Sequence, residues 1–356
     1  MRARVWGWLY PRIRSLIKRL ILERQRRRHQ PHDFESVVEI GQGLYRLSHA
    51  VAGRLLYQFS IPAGIHQYLY DLTFPSPLVI SSFEGDLEML EMWSGMGMGG
   101  VICKTVLWDE RVGNVRPRLL EVVVPPYTQP ALLNAMGLPG KGVQRFCMDL
   151  ARSRLLRSGK PVGISIGGTS AAEYTSVFDY VEAAFSDVSL PLFYEVNISC
   201  PNTPEGQSFF YHPELLHQLL IDMRKKSDRV IGVKLSPDQS NEDLLRFADL
   251  VKSIPRTYLN LGNTQYKPAS QWQLSKADFP KEGGGLSGAP LFPRTLEMVT
   301  FLSGKDIPLM ATGGISNIDQ VKAVLDAGAT LVGMATALVQ NPYCVPEINR
   351  KLSRLS

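Results

Sequence analysis

From about Leu72 onward, short apolar runs alternate with segments whose apolar residues recur at helical spacing. PLVISS, GGVICKTV, PVGISIGG, LFYEVNIS, VIGVKLS, TYLNLGN, IPLMATGG and ATLVGMATALV read as eight buried strands. DLEMLEMWSGMG, NEDLLRFADLVKS, NIDQVKAVLDAG and the stretches near 170–185, 213–226 and 295–302 read as helices between them. Several strand runs end in Gly, Ser, Asn or Lys. That rhythm predicts a (β/α)8 TIM barrel over residues 67–356, an α/β fold with its chemistry at the C-terminal ends of the strands. A doubly wound sheet is the competing architecture. Against it, no GxGxxG opens a strand–helix turn with an acid about 20 residues further on.

Residues 1–66 follow a different pattern and are expected to form a small helical module. Trp6, Trp8, Leu9 and Tyr10 precede Pro11, and then Ile13, Leu16, Ile17, Leu20 and Ile21 repeat at i, i+3, i+4, i+7 and i+8. Basic residues fill other positions, so this is a basic amphipathic helix with aromatic residues at one end. Its apolar runs are too short to cross a bilayer, and no apolar region with a small-residue cleavage site follows. Such a helix suits the interface of an anionic membrane through residues 1–30. A surface helix docked on the barrel or a flexible basic tail is the plain alternative. A second helix is expected over about 34–58, with Gly41 and Gly43 as candidate breaks.

Composition sharpens this division. The net charge is +6, but residues 1–32 hold ten Lys or Arg against one acid, Glu23, while the remainder balances to −3. The body therefore offers no basic track for nucleic acid. The four cysteines, Cys103, Cys147, Cys200 and Cys344, include no CxxC pair and join no histidine cluster. No metal is expected, and a disulfide framework is not expected either, which suits a reducing, cytoplasmic compartment.

The candidate chemistry lies at the strand ends. VNISCPNTPEGQ leaves its strand through a turn built on Pro201, Asn202, Pro204 and Gly206, with Cys200 just past the strand end. A thiol there can move a proton, and the flanking Asn197 and Asn202 can hold a planar polar ligand. An isolated cysteine in a turn is more often inert, so the weight rests on its company. Asn134, Asn263 and Thr264 lie in similar positions, and four asparagines suit a heterocycle with alternating N–H and C=O groups. Lys104 and Lys234 end strands where an ammonium needs an anion or an acid. ATGGIS and MATAL follow the last two strands and read as a phosphate cradle, with GGGLSG, Gly283 to Gly288, able to close over the same group.

The ordered series ICKTVLWDERVGNVRPRLLEV, LNAMGLPG, ISIGGTSAAE, VNISCPNTPEGQ, GVKLSPD, LNLGNT, GGGLSGAPL and ATGGI…GATLVGMATAL resembles the dihydroorotate dehydrogenases over about residues 70–345. The resemblance implies FMN in the barrel, dihydroorotate and orotate as substrate and product, and a place in pyrimidine synthesis. A base takes a proton from C5 of dihydroorotate, and hydride leaves C6 for the flavin. Cys200 falls at the base, as in class 1 enzymes; class 2 enzymes carry serine there. Substrate contacts are implied for Lys104, Asn134, Met136, Gly137, Leu138, Asn197, Asn202, Asn263 and Thr264. Cofactor contacts are implied for Ser81, Ser82, Lys104, Thr105, Ser165, Asn197, Lys234, Gly262, Gly288, Gly313, Gly314, Ala335 and Thr336.

Three departures mark this chain. Ser81, Ser82 and Phe83 stand where relatives often carry Ala–Ser–Gly or Ala–Ala–Gly, Glu84–Gly85 stands near the class 2 lysine, and Gly140 replaces an asparagine. The N-terminal module resembles that of class 2 enzymes, which sit on a membrane and use quinone, whereas the core resembles class 1. Quinone is therefore the expected acceptor, with fumarate or a partner flavoprotein as the alternative. The expected location is the inner face of the cell membrane, and a homodimer is an assembly compatible with the resemblance. An FMN reductase of another pyrimidine and a silent membrane-bound barrel scaffold are the competing functions.

Overall fold

The structure, a computed structural model, describes residues 2–186, 189–198 and 208–355. The barrel strands are β1 (Leu78–Ile80), β2 (Gly100–Val106), β3 (Val162–Ile166), β4 (Leu192–Asn197), β5 (Ile231–Leu235), β6 (Thr257–Leu261), β7 (Leu309–Thr312) and β8 (Leu331–Met334). Each pairs in parallel with its neighbour, and β8 pairs with β1 to close the barrel. All eight arise from the apolar runs read as strands. The runs are apolar almost throughout because helices cover the outside while side chains fill the inside. Helix starts follow capping chemistry: the side chains of Ser170, Ser240 and Asn317 accept the backbone N–H of Glu173, Asp243 and Gln320.

The barrel interior is built in two tiers. At the N-terminal end, Val79, Ile102, Phe193, Tyr258, Met310 and Leu331 form an apolar plug, closed from below by the hairpin of Gln67–Leu69 and Leu72–Phe74. Gly163 and Gly232 make room for its two large rings. A Cβ on Gly163 would lie 2.6 Å from the Phe193 ring, and one on Gly232 would lie 2.2 Å from that of Tyr258. Two residues further along each strand, on the same face, the chain places Ser81, Lys104, Ser165, Glu195, Lys234, Asn260, Thr312 and Gly333. The interior thus changes from apolar to polar within one strand period.

Two excursions cover one side of the barrel mouth. Leu119–Val122 and Ala131–Asn134, inserted after β2, join Gly283–Ser287 and Gln265–Pro268, inserted after β6, in an antiparallel four-stranded sheet. GGGLSG, read as able to close over the phosphate group, is held in this sheet up to Ser287, and Gly288 just beyond it lines the cavity. Most of it is strand, and its glycines allow close packing: a Cβ on Gly285 would lie 2.0 Å from Thr264 Oγ1.

Helices α1 (Arg2–Arg27) and α2 (Glu35–Tyr57) lie over that mouth. The first begins well before Pro11 and runs through it. Pro11 has no N–H for the carbonyl of Gly7, four residues back, and Asn341 Nδ2 donates to that carbonyl instead at 3.0 Å. The expected breaks at Gly41 and Gly43 do not occur. The kink in α2 falls at Ala52, whose φ of −138° and ψ of 24° are not helical. Ion pairs fasten both helices: Arg14 and Lys18 meet Glu121, while Arg116 and Arg118 meet Asp33, Glu35 and Glu39. Gln25 secures the turn between the helices through both backbone groups of Asp33.

Because the plug has no spare volume at Gly232, Gly232→Ala should lower unfolding free energy by about 1–3 kcal/mol, the usual cost of overpacking. Urea denaturation reads this directly, and an unchanged midpoint would mean that Tyr258 moves aside freely.

Candidate active site

A cavity of about 900 Å³ begins at the polar tier of the barrel and ends between α1 and α2. Its inner wall holds Ser81, Ser82, Lys104, Thr105, Asn197 and Lys234. Its sides hold Asn134, Met136, Gly137, Leu138, Asn263 and Thr264, and its phosphate-cradle side holds Gly288, Gly313, Gly314, Ala335 and Thr336. Seventeen of the residues singled out from the sequence therefore meet around one space. Ser165 and Gly262 lie behind its wall. Ser165 is fully buried and shares a 3.0 Å hydrogen bond with Thr105 Oγ1. Gly262 is packed so tightly that a Cβ would lie 1.6 Å from the Thr312 carbonyl. Cys200 and Asn202 lie outside the described residues.

The amides and hydroxyls are held in place before any ligand arrives. Asn197 Nδ2 donates to Thr105 Oγ1 at 2.8 Å, and Tyr174 donates to the Asn197 carbonyl at 2.7 Å. Asn134 Nδ2 donates to the Gly285 carbonyl at 3.0 Å, so the mouth sheet fixes this side chain from across its own ladder. Such anchoring reduces the ordering cost of binding. By contrast, Ser81 Oγ, Thr312 Oγ1 and Asn260 Oδ1 are buried without a hydrogen-bond partner among the described residues. Ser81 and Thr312 line the cavity, where a polar ligand can satisfy them.

The charges of the wall are arranged in two groups. Lys234 Nζ donates to Ser82 Oγ at 3.0 Å, and Ser82 Oγ donates to Glu195 Oε1 at 2.7 Å. Lys104 sits across the cavity near Glu84, whose carbonyl accepts the Lys104 backbone N–H at 3.2 Å. Burial pushes the Lys104 ammonium below its ordinary pKa, opposed by the Glu84 charge. Burial likewise pushes the Glu84 carboxyl up, opposed by the Asp86 backbone N–H and by Lys104. An anionic ligand beside Lys104 would restore its preference for the charged form.

Three strand or loop ends converge on the cradle. Gly314, at φ +73°, brings its backbone so close that a Cβ would lie 2.5 Å from the Phe292 nitrogen and 2.9 Å from the Gly288 carbonyl. Thr336 Oγ1 donates to Ser287 Oγ at 3.0 Å, tying the segment after β8 to the mouth sheet. Exposed backbone at adjoining glycine-rich turns suits an anion.

The outer end of the cavity is mainly apolar, with Arg14, Glu35, Glu39 and Gln42 also on its lining. Trp6, Tyr10, Ile13 and Ile17 of α1 face Val38 and Leu44 of α2 across it. The expected lipid-facing set on α1 is thus divided. Ile13 and Ile17 line the cavity and Ile21 packs near Phe34 and Val37, while Leu16 and Leu20 face outward. On α2, Leu47, Val51 and Leu55 face outward as well, Val51 at 90% exposure. No helix among the described residues is long and apolar enough to cross a membrane.

Glu195, Asn260, Thr312 and Arg118 were not singled out from the sequence, and Glu84 was noted only as a departure from the class 2 pattern. Glu195 did carry a signal, a lone acid inside LFYEVN at the same parity as Phe193 and Asn197. Arg118 links the helix pair to the site. It donates to both oxygens of Glu35, at 2.9 and 3.1 Å, and to the carbonyls of Val112 and Asn114. Arg118→Ala should therefore cost about 2–3 kcal/mol, because Glu35 keeps only its longer 3.4 Å pair with Arg116 and the Val112 and Asn114 carbonyls lose their donor. It should also hasten proteolysis near residues 28–33. Wild-type urea midpoint and cleavage rate together would show that Arg118 does not hold the helices.

A sequence model of the family described as dihydroorotate dehydrogenase matches residues 65–355. The chain is 33% identical over 344 residues to the dihydroorotate dehydrogenase (quinone) of Pseudarthrobacter chlorophenolicus, covering 90% of this chain and 95% of that one. It is 32% identical over 283 residues to the catalytic subunit of dihydroorotate dehydrogenase B (NAD(+)) of Oceanobacillus iheyensis, covering 78% and 89%. Among solved structures, DHODH in complex with ferulenol from Eimeria tenella superposes with a TM-score of 0.72 at 18% identity, over 88% of this chain and 91% of that one. At that identity the superposition supports the fold.

Proposed function

The chain belongs to the dihydroorotate dehydrogenase family, and we propose that it oxidises dihydroorotate to orotate with FMN in the barrel mouth and membrane quinone as acceptor. The observation that carries this reading is the form of the cavity, polar at the barrel end and, at the helix end, lined mainly by apolar and aromatic residues with Arg14, Glu35, Glu39 and Gln42 among them. One space therefore suits a polar substrate at one end and a lipid-soluble acceptor at the other.

The residues fit FMN. Ser81 and Thr312 offer unpaired buried hydroxyls, Lys104 and Lys234 offer positive charge, and the turns at Gly288, Gly313–Gly314 and Ala335–Thr336 offer backbone for the phosphate. When bound, FMN supplies the two-electron acceptor for hydride. The chain's own residues do the rest. Asn134, Asn197, Asn263 and Thr264, with Asn202, would hold the pyrimidine ring and its carboxylate, and Lys104 would supply charge to the same ligand. Met136, Gly137 and Leu138 would close one side. Cys200 would take the C5 proton as thiolate.

Outward-facing Leu16, Leu20, Leu47, Val51 and Leu55, with a basic N-terminus, support attachment to the inner face of the cell membrane. The second reading of the acceptor, fumarate or a partner flavoprotein, draws on the class 1-like segments and on the similarity to an NAD-type catalytic subunit.

Cys200→Ala should still bind orotate but reduce flavin more slowly by roughly two to four decades, the usual weight of a general base. The wild-type rate should rise with pH toward the thiol pKa. A variant as fast as wild type would remove Cys200 from the mechanism.

Removing residues 1–30 should free the protein from anionic liposomes and slow turnover with long-chain quinone, leaving flavin reduction by dihydroorotate intact. Full quinone activity after truncation, or a preference of the intact protein for fumarate, would overturn the quinone assignment and leave the barrel chemistry standing.

A further inference from the structure

Glu195 is fully buried, lies in β4 two residues before Asn197, and does not reach the cavity. Both of its oxygens are engaged. Oε1 accepts from Ser82 Oγ at 2.7 Å and lies 3.9 Å from Lys234 Nζ, while Oε2 accepts from Asn260 Nδ2 at 2.6 Å. Lys234 is only 5% exposed, and among the described residues its one hydrogen bond to a side chain goes to Ser82 Oγ. Ser82 therefore stands between ammonium and carboxylate, accepting from Lys234 and donating to Glu195. Without the hydroxyl the two charges would be free to close directly on each other. With it, the ammonium stays at the cavity wall.

We propose that Glu195 is a positioning residue which, through Ser82, holds the Lys234 ammonium at the cavity wall and offsets its charge there. The proposal rests on the FMN reading. A buried ammonium with no counterion would overstabilise any negative charge developing beside it, whereas a pair in direct contact would stabilise it too little. The bridged arrangement lies between these limits. The reduced flavin carries negative charge at N1 and O2, so its midpoint potential reports the charge that Lys234 presents.

The test is spectroelectrochemistry on the full-length holoprotein, with FMN affinity measured in parallel. Glu195→Gln should raise the flavin midpoint potential and Lys234→Met should lower it. The shift caused by Glu195→Gln should shrink in a Lys234→Met background, because its effect passes through the ammonium. Should Glu195→Gln fail to fold, Ser82→Ala keeps both charges and removes the bridging hydroxyl at the cavity wall. Lys234 should then be drawn toward Glu195, lowering the potential and weakening FMN binding roughly tenfold, the scale of one charge-assisted hydrogen bond. Unchanged potentials in Glu195→Gln or Ser82→Ala, or an equal Glu195→Gln shift with and without Lys234, would overturn the proposal while FMN binding stands. A full-length protein that binds no FMN would overturn the functional reading and this proposal together.

Discussion

Inside the barrel a carboxylate and an ammonium face each other with almost no access to water. Glu195 is fully buried and Lys234 nearly so, and the distance between them is 3.9 Å. Either charge alone would be several kcal/mol too costly at that depth. Together, with Ser82 and Asn260 as hydrogen-bond partners, they permit a polar tier directly above an apolar plug. That tier is the floor of the site. The same strands that pack Ile102 and Phe193 below present Lys104 and Asn197 above, because side chains of alternate residues share a face.

The helix pair applies the opposite rule. Its inner face is mainly apolar, with a few charged residues such as Arg14 and Glu35, and much of its outer face is apolar too, so it can wall a largely apolar channel while presenting apolar residues outward. What keeps such a module on the barrel is polar: Glu121 with Arg14 and Lys18, Glu35 with Arg118, and Asn341 on the carbonyl that Pro11 leaves open. Arg118 also approaches the Met136 carbonyl at 3.5 Å, so the helices and the Met136–Leu138 side of the cavity share a neighbour.

The barrel was legible because buried parallel strands give runs with little polar interruption, and each of the eight runs became a strand. Helix boundaries were legible where a cap marks them, as at Ser170 and Asn317. The mouth sheet was not, because QYKP and GGGLS read as loop, and GGGLS also pairs with Leu132–Asn134, about 150 residues earlier in the chain. The α2 kink was misplaced for a physical reason. A helical glycine costs only about 1 kcal/mol, and Gly41 and Gly43 stay helical, while Ala52 has no composition that announces a break. In the site, residue types with obvious ligand chemistry were found, including Lys104, Lys234 and Asn134. Those acting from behind, Glu195 and Asn260, were missed, since a strand residue's partner across the barrel cannot be read from spacing.

The most direct measurement is anaerobic titration of the purified full-length protein with dihydroorotate, following the flavin absorbance and the orotate formed. The account requires a yellow protein with one FMN per chain, bleached by one equivalent of dihydroorotate with one orotate produced. A colourless protein, or a yellow one that dihydroorotate leaves oxidised, would contradict it.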